Sequence, residues 1–223
     1  SGYSVATGAT RPGIIEQGAV MARFIEALGL DRPLVVGHSL GGAVALALAL
    51  DRPDLVRGLA LIAPLTQAET AVPEAFRAMA QPSAVGRMAI ANLLGVPLGQ
   101  LAGERTSRKV FAPEPIVPDF ATKGGGKLAL RPGNLDASMR DLLAAADMPG
   151  LVARYPELTL PVSILYGHQD AILDPDRHGT LTAGQIASAH LERVAGGHML
   201  PLTQPDPTAT FLRDADRRVR QPG

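Results

Sequence analysis

Three short segments carry residue types able to do nucleophilic chemistry. Gly37-His38-Ser39-Leu40-Gly41 sets a serine in a Gly-x-Ser-x-Gly frame, Tyr166-Gly167-His168-Gln169-Asp170 offers a carboxylate, and Gly196-Gly197-His198-Met199 offers an imidazole. A serine hydroxyl is a weak nucleophile. It needs a base to take its proton, and the base needs a carboxylate to fix its tautomer and stabilise its charge. Serine, aspartate and histidine follow one another here in that chain order. The chemistry open to such a set is acyl transfer through a covalent serine intermediate, which requires no metal and no organic cofactor.

The frame around Ser39 has the surroundings this chemistry needs. Leu34-Val35-Val36 before it reads as a buried strand, and Gly41–Leu50, apolar nearly all round, reads as a buried helix. In so tight a strand-to-helix turn, side chains two before and two after the serine are expected to collide with their neighbours, so glycine at 37 and 41 relieves the turn. Gly42 extends the small run and lets the helix pack closely on the sheet. The helix N-terminus offers unpaired N–H groups to an oxyanion, with the Leu40 N–H as one donor. A dinucleotide-binding turn would require glycine at position 39. The Gly124-Gly125-Gly126-Lys127 run lacks the spacing of a phosphate loop and reads as a flexible hinge.

The base must be chosen among five histidines. His38 adjoins the nucleophile and is expected to line the site with Met199, as substrate-binding residues. His168 lies beside the acid. His178 and His190 fall in a helix and a strand candidate, as surface or hydrogen-bonded residues. Only His198 combines a glycine-rich loop after a strand with the right chain order. For the acid, Asp170 competes with Asp174 and Asp176. Asp174-Pro175 has the form of a helix start capped by aspartate, which leaves Asp170, just past a strand end, as the better choice.

The elements that must position these groups alternate. A helix is expected over 14–28, with Gly29 as its cap, then strands at 34–36 and 59–63. After Pro64 the strand pattern stops. Helical pieces are expected at Glu74–Met79, Val85–Leu94 and Ala137–Ala146, with a proline-rich stretch from Phe111 to Pro118 between them. Strands resume at Val162–Tyr166 and His190–Val194, with a helix over Pro175–Ala187 and a short last helix over Asp206–Leu212. Alternating helix and strand implies a parallel sheet with right-handed crossovers. The organisation expected is an α/β core, residues 1–64 and 155–223, interrupted by a helical lid or cap, residues 65–154.

The segments LVVGHSLGGAVALALALDRPDLVRGLALIAP, PVSILYGHQDAILDP and VAGGHMLPLTQPD together resemble the α/β-hydrolase family, in its lid-bearing esterase and lipase-like branch. The resemblance implies a mostly parallel sheet flanked by helices, Ser39, Asp170 and His198 as catalytic residues, and residues 65–154 as a lid over the site. Serine at the nucleophile position sets the chain apart from dehalogenase and epoxide hydrolase relatives, which need a carboxylate there. Family members begin with further strands and a His-Gly loop that gives the second oxyanion N–H. Ser1-Gly2-Tyr3-Ser4 resembles the turn just before the helix that leads to the nucleophile strand, so the chain is expected to be N-terminally truncated, with the second donor missing from it. The Leu34–Val36 strand then presents an exposed edge, open to pairing with another chain or to homo-oligomerisation. Losing one oxyanion donor costs about 10²–10³ in rate.

The function implied is hydrolysis of carboxylic esters of small to medium apolar substrates. Carbon–carbon bond hydrolysis, perhydrolysis and acyl transfer use the same residues, and a non-catalytic fragment acting as a binding module is the reading from another class. Composition narrows the partners. Lys+Arg and Asp+Glu both number 21, a balance that speaks against nucleic acid or an anionic membrane surface. There is no cysteine, so disulfides and thiolate-bound metals are excluded. The longest apolar run, Ala43–Leu50, falls well short of the roughly 18 residues a membrane span needs. With no basic start or apolar core of a signal peptide, a cytoplasmic location is expected.

Overall fold

The computed structural model describes residues 13–69, 83, 86 and 95–220. Four strands, β1 (Leu34–His38), β2 (Gly58–Ile62), β3 (Val162–Gly167) and β4 (Ala189–Val194), form one sheet in that order, with every neighbouring pair parallel. β2 and β3 are buried on both faces and read as continuous apolar runs for that reason. β1 pairs on one side only among the described residues, and Val36 is 51% exposed.

Alternate strand residues feed two layers. Leu59, Leu61, Val162, Ile164 and Tyr166 join one core with helices α1 (Ile14–Ala27) and α2 (Leu40–Asp51). Ala60, Ile62 and Leu165 join the other, under Phe211 and Ala215 of the C-terminal helix Pro205–Arg220. α2 is buried from Gly42 to Leu50. α1 departs from the expected pattern. Its inward seam is Ile14, Gly18, Ala22 and Ile25, while Phe24 and Leu28 are more than half exposed. The seam works through small residues: a Cβ on Gly18 would stand 3.0 Å from the Leu48 nitrogen, so glycine lets α1 lie close on α2.

Between β2 and β3 the described residues contain no strand. They form α3 (Gly95–Phe111), α4 (Pro132–Leu143) and α5 (Met148–Ala153), joined by 3-10 turns. α3 escapes a sequence reading because Gly95, Pro97, Gly99 and Gly103 dilute its signal. α4 begins five residues ahead of the expected 137–146 and overlaps it to Leu143, where a 3-10 turn over Ala144–Asp147 takes over. The expected helices at 74–79 and 85–94 lie outside the described residues, apart from Gly86. Of the glycines at 124–126, Gly124 and Gly126 pack closely on Phe120, where a Cβ would stand 2.8 Å and 3.0 Å from its carbonyl oxygen, and Gly125 takes φ +78°.

After β3, the Asp174 carboxylate accepts the N–H groups of Asp176 (2.8 Å) and Arg177 (3.2 Å), the cap expected of it. A π-helical turn over Asp176–Leu181 and α6 (Thr182–Gln185) replace the single expected helix. After β4 come α7 (Leu200–Thr203) and α8 (Pro205–Arg220). α8 runs well past the expected end at Leu212, on polar turns held by pairs such as Asp216–Arg220, 2.7 Å.

The root of the segment after β2 is tied down by buried polar groups. His178 Nδ1 accepts the N–H groups of Thr66 (3.1 Å) and Gln67 (3.2 Å), and its Nε2–H donates to Glu69 Oε1 (2.5 Å). The Gln67 amide donates to Thr182 Oγ1 and Gln185 Oε1, both at 2.7 Å, and the Tyr155 hydroxyl donates to the Thr66 carbonyl. Burial pushes the His178 imidazole below its ordinary value, and the Glu69 carboxylate pulls the other way. The unfolded chain therefore takes up this proton more readily. The stability the neutral ring contributes is complete above about pH 6.5 and is lost as the pH falls below it. The melting temperature is expected to drop between pH 7 and pH 5. His178→Asn accepts the same N–H groups without titrating, so it should melt lower at pH 7 but lose less on acidification. Equal acid slopes in the two proteins would contradict this assignment.

Candidate active site

β1, β3 and β4 are parallel, so their C-terminal ends meet at one edge of the sheet, and each delivers one group. Ser39 follows β1 directly and takes φ +54°, a region side chains rarely adopt. It is held there by backbone bonds on both sides. Its N–H donates to the Ile62 carbonyl (3.1 Å), and its carbonyl accepts from Gly42 N–H (2.9 Å) and Leu65 N–H (2.9 Å). Strain of this kind persists only where the surroundings enforce it. The glycines divide the work differently from the sequence expectation. A Cβ on Gly37 would stand 2.5 Å from the Gly41 carbonyl oxygen, and one on Gly42 would strike Pro64, but one on Gly41 meets nothing within 4 Å.

The serine points at an imidazole that is itself held by a carboxylate. His198 Nε2 lies 3.0 Å from Ser39 Oγ, and His198 Nδ1 lies 2.7 Å from Asp170 Oδ2. Asp170 is buried, and its other oxygen accepts the N–H groups of Ile172 (2.8 Å) and Leu173 (3.0 Å). Both carboxylate oxygens thus have fixed partners. With Nδ1–H donating to Asp170, the Nε2 lone pair faces the serine hydroxyl, the arrangement needed to accept its proton.

The other candidates stand apart from this chain of bonds. Asp174 caps the turn after it, and Asp176 pairs with Arg193 at 2.6 Å. His168 and His190 are exposed, and His178 is committed to the network described above. His38 Nε2–H donates to the His198 carbonyl (2.9 Å), with ring centroids 5.0 Å apart. Burial pushes the His38 imidazole below its ordinary value, and a positive His198 pushes the same way. Met199, next to His198, is half-buried. Leu40 opens α2, so its N–H is among the first four of the helix, which find no partner within it.

One contributor leaves no trace in the sequence. The Gln169 N–H donates to the Gly196 carbonyl (2.9 Å), and Gly196 N–H donates to Gln169 Oε1 (3.1 Å), which joins the acid loop to the histidine loop. A cavity of 310 Å³ lies between α1 and α2, lined by residues that include Arg23, Leu48 and Arg52, and it touches none of Ser39, Asp170 or His198. Among the described residues, no helix is long and apolar enough to cross a membrane.

The turn geometry has a direct consequence. Gly41→Ala is expected to leave the melting temperature within about 2 °C of the parent, while Gly37→Ala and Gly42→Ala each lower it by at least about 5 °C. Thermal unfolding followed by circular dichroism measures all three, and a Gly41 variant as unstable as the other two would contradict the geometry.

Comparison with known proteins agrees with this architecture. An uncharacterised protein of Mycobacterium tuberculosis is 29% identical over 212 residues, covering 88% of this chain and 58% of its own length, so the chain spans little more than half of that relative. Among solved structures, a bacterial membrane phospholipase A superposes with a TM-score of 0.77 at 21% identity, over 100% of this chain and 68% of that one. An esterase from Exiguobacterium antarcticum superposes with a TM-score of 0.72 at 17% identity, over 96% and 78%. Both show the same fold. The family model for the alpha/beta hydrolase fold matches residues 1–205, and the chain belongs to that family.

Proposed function

We propose that the chain carries the catalytic centre of a serine hydrolase that cleaves carboxylic esters through an acyl-enzyme. The observation that carries this reading is the continuous set of bonds from Ser39 Oγ to His198 Nε2, and from His198 Nδ1 to Asp170. In the first step Ser39 Oγ attacks the ester carbonyl as His198 takes its proton. Asp170 stabilises the imidazolium and keeps its tautomer. His198 then gives that proton to the departing alcohol, and the acyl group stays on Ser39. Water enters, loses a proton to His198 and attacks the acyl carbonyl, and Ser39 leaves as the proton returns to it. The Leu40 N–H is the oxyanion donor we assign within this chain.

The substrate is an ester of small to medium apolar groups. Support comes from the composition of residues 65–154, rich in Ala, Leu, Met, Val and Pro, the segment to which we assign the role of a lid. His38, next to Ser39 in the chain, and Met199, next to His198, are the residues we assign to the substrate wall. A panel of nitrophenyl esters of graded acyl length tests this. Hydrolysis is expected to favour short and medium chains, and Ser39→Ala is expected to lower kcat by about 10⁴-fold or more. Preference for charged or sugar esters would overturn the substrate assignment, and undiminished hydrolysis by Ser39→Ala would overturn the mechanism. Product analysis with water, peroxide and alcohol present identifies the acyl acceptor.

A further inference from the structure

The loop carrying His198 is gripped from two sides, and only one grip comes from the core of the fold. On the core side, Gly167 at the end of β3 lies so close that a Cβ there would land on the carbonyl groups of Gly196 and Gly197. Gln169 adds its two bonds to Gly196. The other grip belongs to the segment between β2 and β3. Glu114, three residues past the end of α3, accepts the Gly197 N–H on its Oε2 at 3.1 Å. The approach is close along the whole contact. A Cβ on Gly197 would fall on the Ala112 carbonyl, and one on Gly196 would stand 2.7 Å from Glu114 Oε1. Gly196 takes φ +131°, a conformation that side chains rarely adopt.

The segment that supplies Glu114 is anchored beside it. Phe111 is fully buried and meets Phe120 edge to face, with centroids 4.9 Å apart, so the turn between them is fixed on both sides of Glu114. Gly197 is the residue immediately before His198. An acceptor on its N–H therefore fixes the peptide plane from which the imidazole departs. A base must be held within a few tenths of an ångström of its productive position for efficient proton transfer.

We propose that Glu114 is a positioning residue for His198, through which the segment between β2 and β3 holds the base in place. The inference rests on the assignment of His198 as the general base, and it adds that a seated insertion is a condition for that base being correctly set. Glu114 acts through the Gly197 N–H, as a hydrogen-bond acceptor. The role can therefore be filled by a neutral amide oxygen.

Two variants and two readouts test this on the protein. Glu114→Ala removes the acceptor, and Glu114→Gln keeps it without the charge. Amide exchange of the peptide spanning residues 195–199, followed by mass spectrometry, reads the bond itself and does not depend on activity. We expect exchange to speed up about tenfold or more in Glu114→Ala and to stay within about twofold of the parent in Glu114→Gln. On a short nitrophenyl ester, kcat is expected to fall about tenfold in Glu114→Ala with little change in KM, and to recover in Glu114→Gln. Unchanged exchange in Glu114→Ala, or a glutamine variant as fast-exchanging as alanine, overturns the proposal. A Ser39→Ala protein that keeps full ester activity overturns the hydrolase mechanism instead, and the exchange result still decides the role of Glu114.

Discussion

The parallel register of the sheet is the constraint on which the rest depends. Leu34 pairs with Gly58, Leu59 with Val162 and Val162 with Ala189, so the carboxyl ends of β1, β3 and β4 arrive together. Three residues from positions 39, 170 and 198 of the chain are thereby brought to one edge without any long excursion of their own. A slip of one residue in any pair would turn every side chain of that strand to the other face. It would also carry the following loop out of reach. The continuous burial of β2 and β3 protects against such a slip, because apolar residues on both faces must be matched at once.

Close backbone approach is the second requirement, and it explains where the glycines fall. Gly37 makes room for the start of α2, Gly42 for Pro64, and Gly167 for the loop before His198. At each of these points two backbones come nearer than a Cβ allows. The polar groups follow the same logic of confinement. Asp170 and His198 are buried, and their bonds are satisfied by one another and by backbone N–H groups. A buried carboxylate fixed at both oxygens gives the imidazole a single orientation.

Much of this was legible in the sequence, for physical reasons that can be named. β2 and β3 are buried on both faces and are nearly unbroken apolar runs, while β1 and β4 are short runs that lead into glycine-marked turns, so all four were visible with their ends within two residues. The glycine frame of Ser39, and the loops that follow the last two strands, mark the positions that the structure brings within hydrogen-bonding distance. What escaped is equally specific. The seam of α1 is built from Gly18 and Ala22, which carry no hydrophobic signal. α3 is diluted by glycine and proline, and the last turns of α8 carry few apolar residues, Ala215 and Val219, among charged ones. Gln169 and Glu114 act on backbone groups far away in sequence, and such bonds leave no spacing to read. Gly41 fits the motif by type, yet the crowding around the turn falls on Gly37 and Gly42.

The central claim is that the fold activates Ser39 through His198. Labelling the folded protein with a fluorophosphonate and reading its intact mass tests this most directly, because the probe reacts only with an activated serine and asks nothing of the substrate. The account predicts one adduct, located on the peptide containing Ser39, absent in Ser39→Ala and strongly slowed in His198→Ala. No adduct on the folded protein, or an adduct that persists in Ser39→Ala, would contradict it.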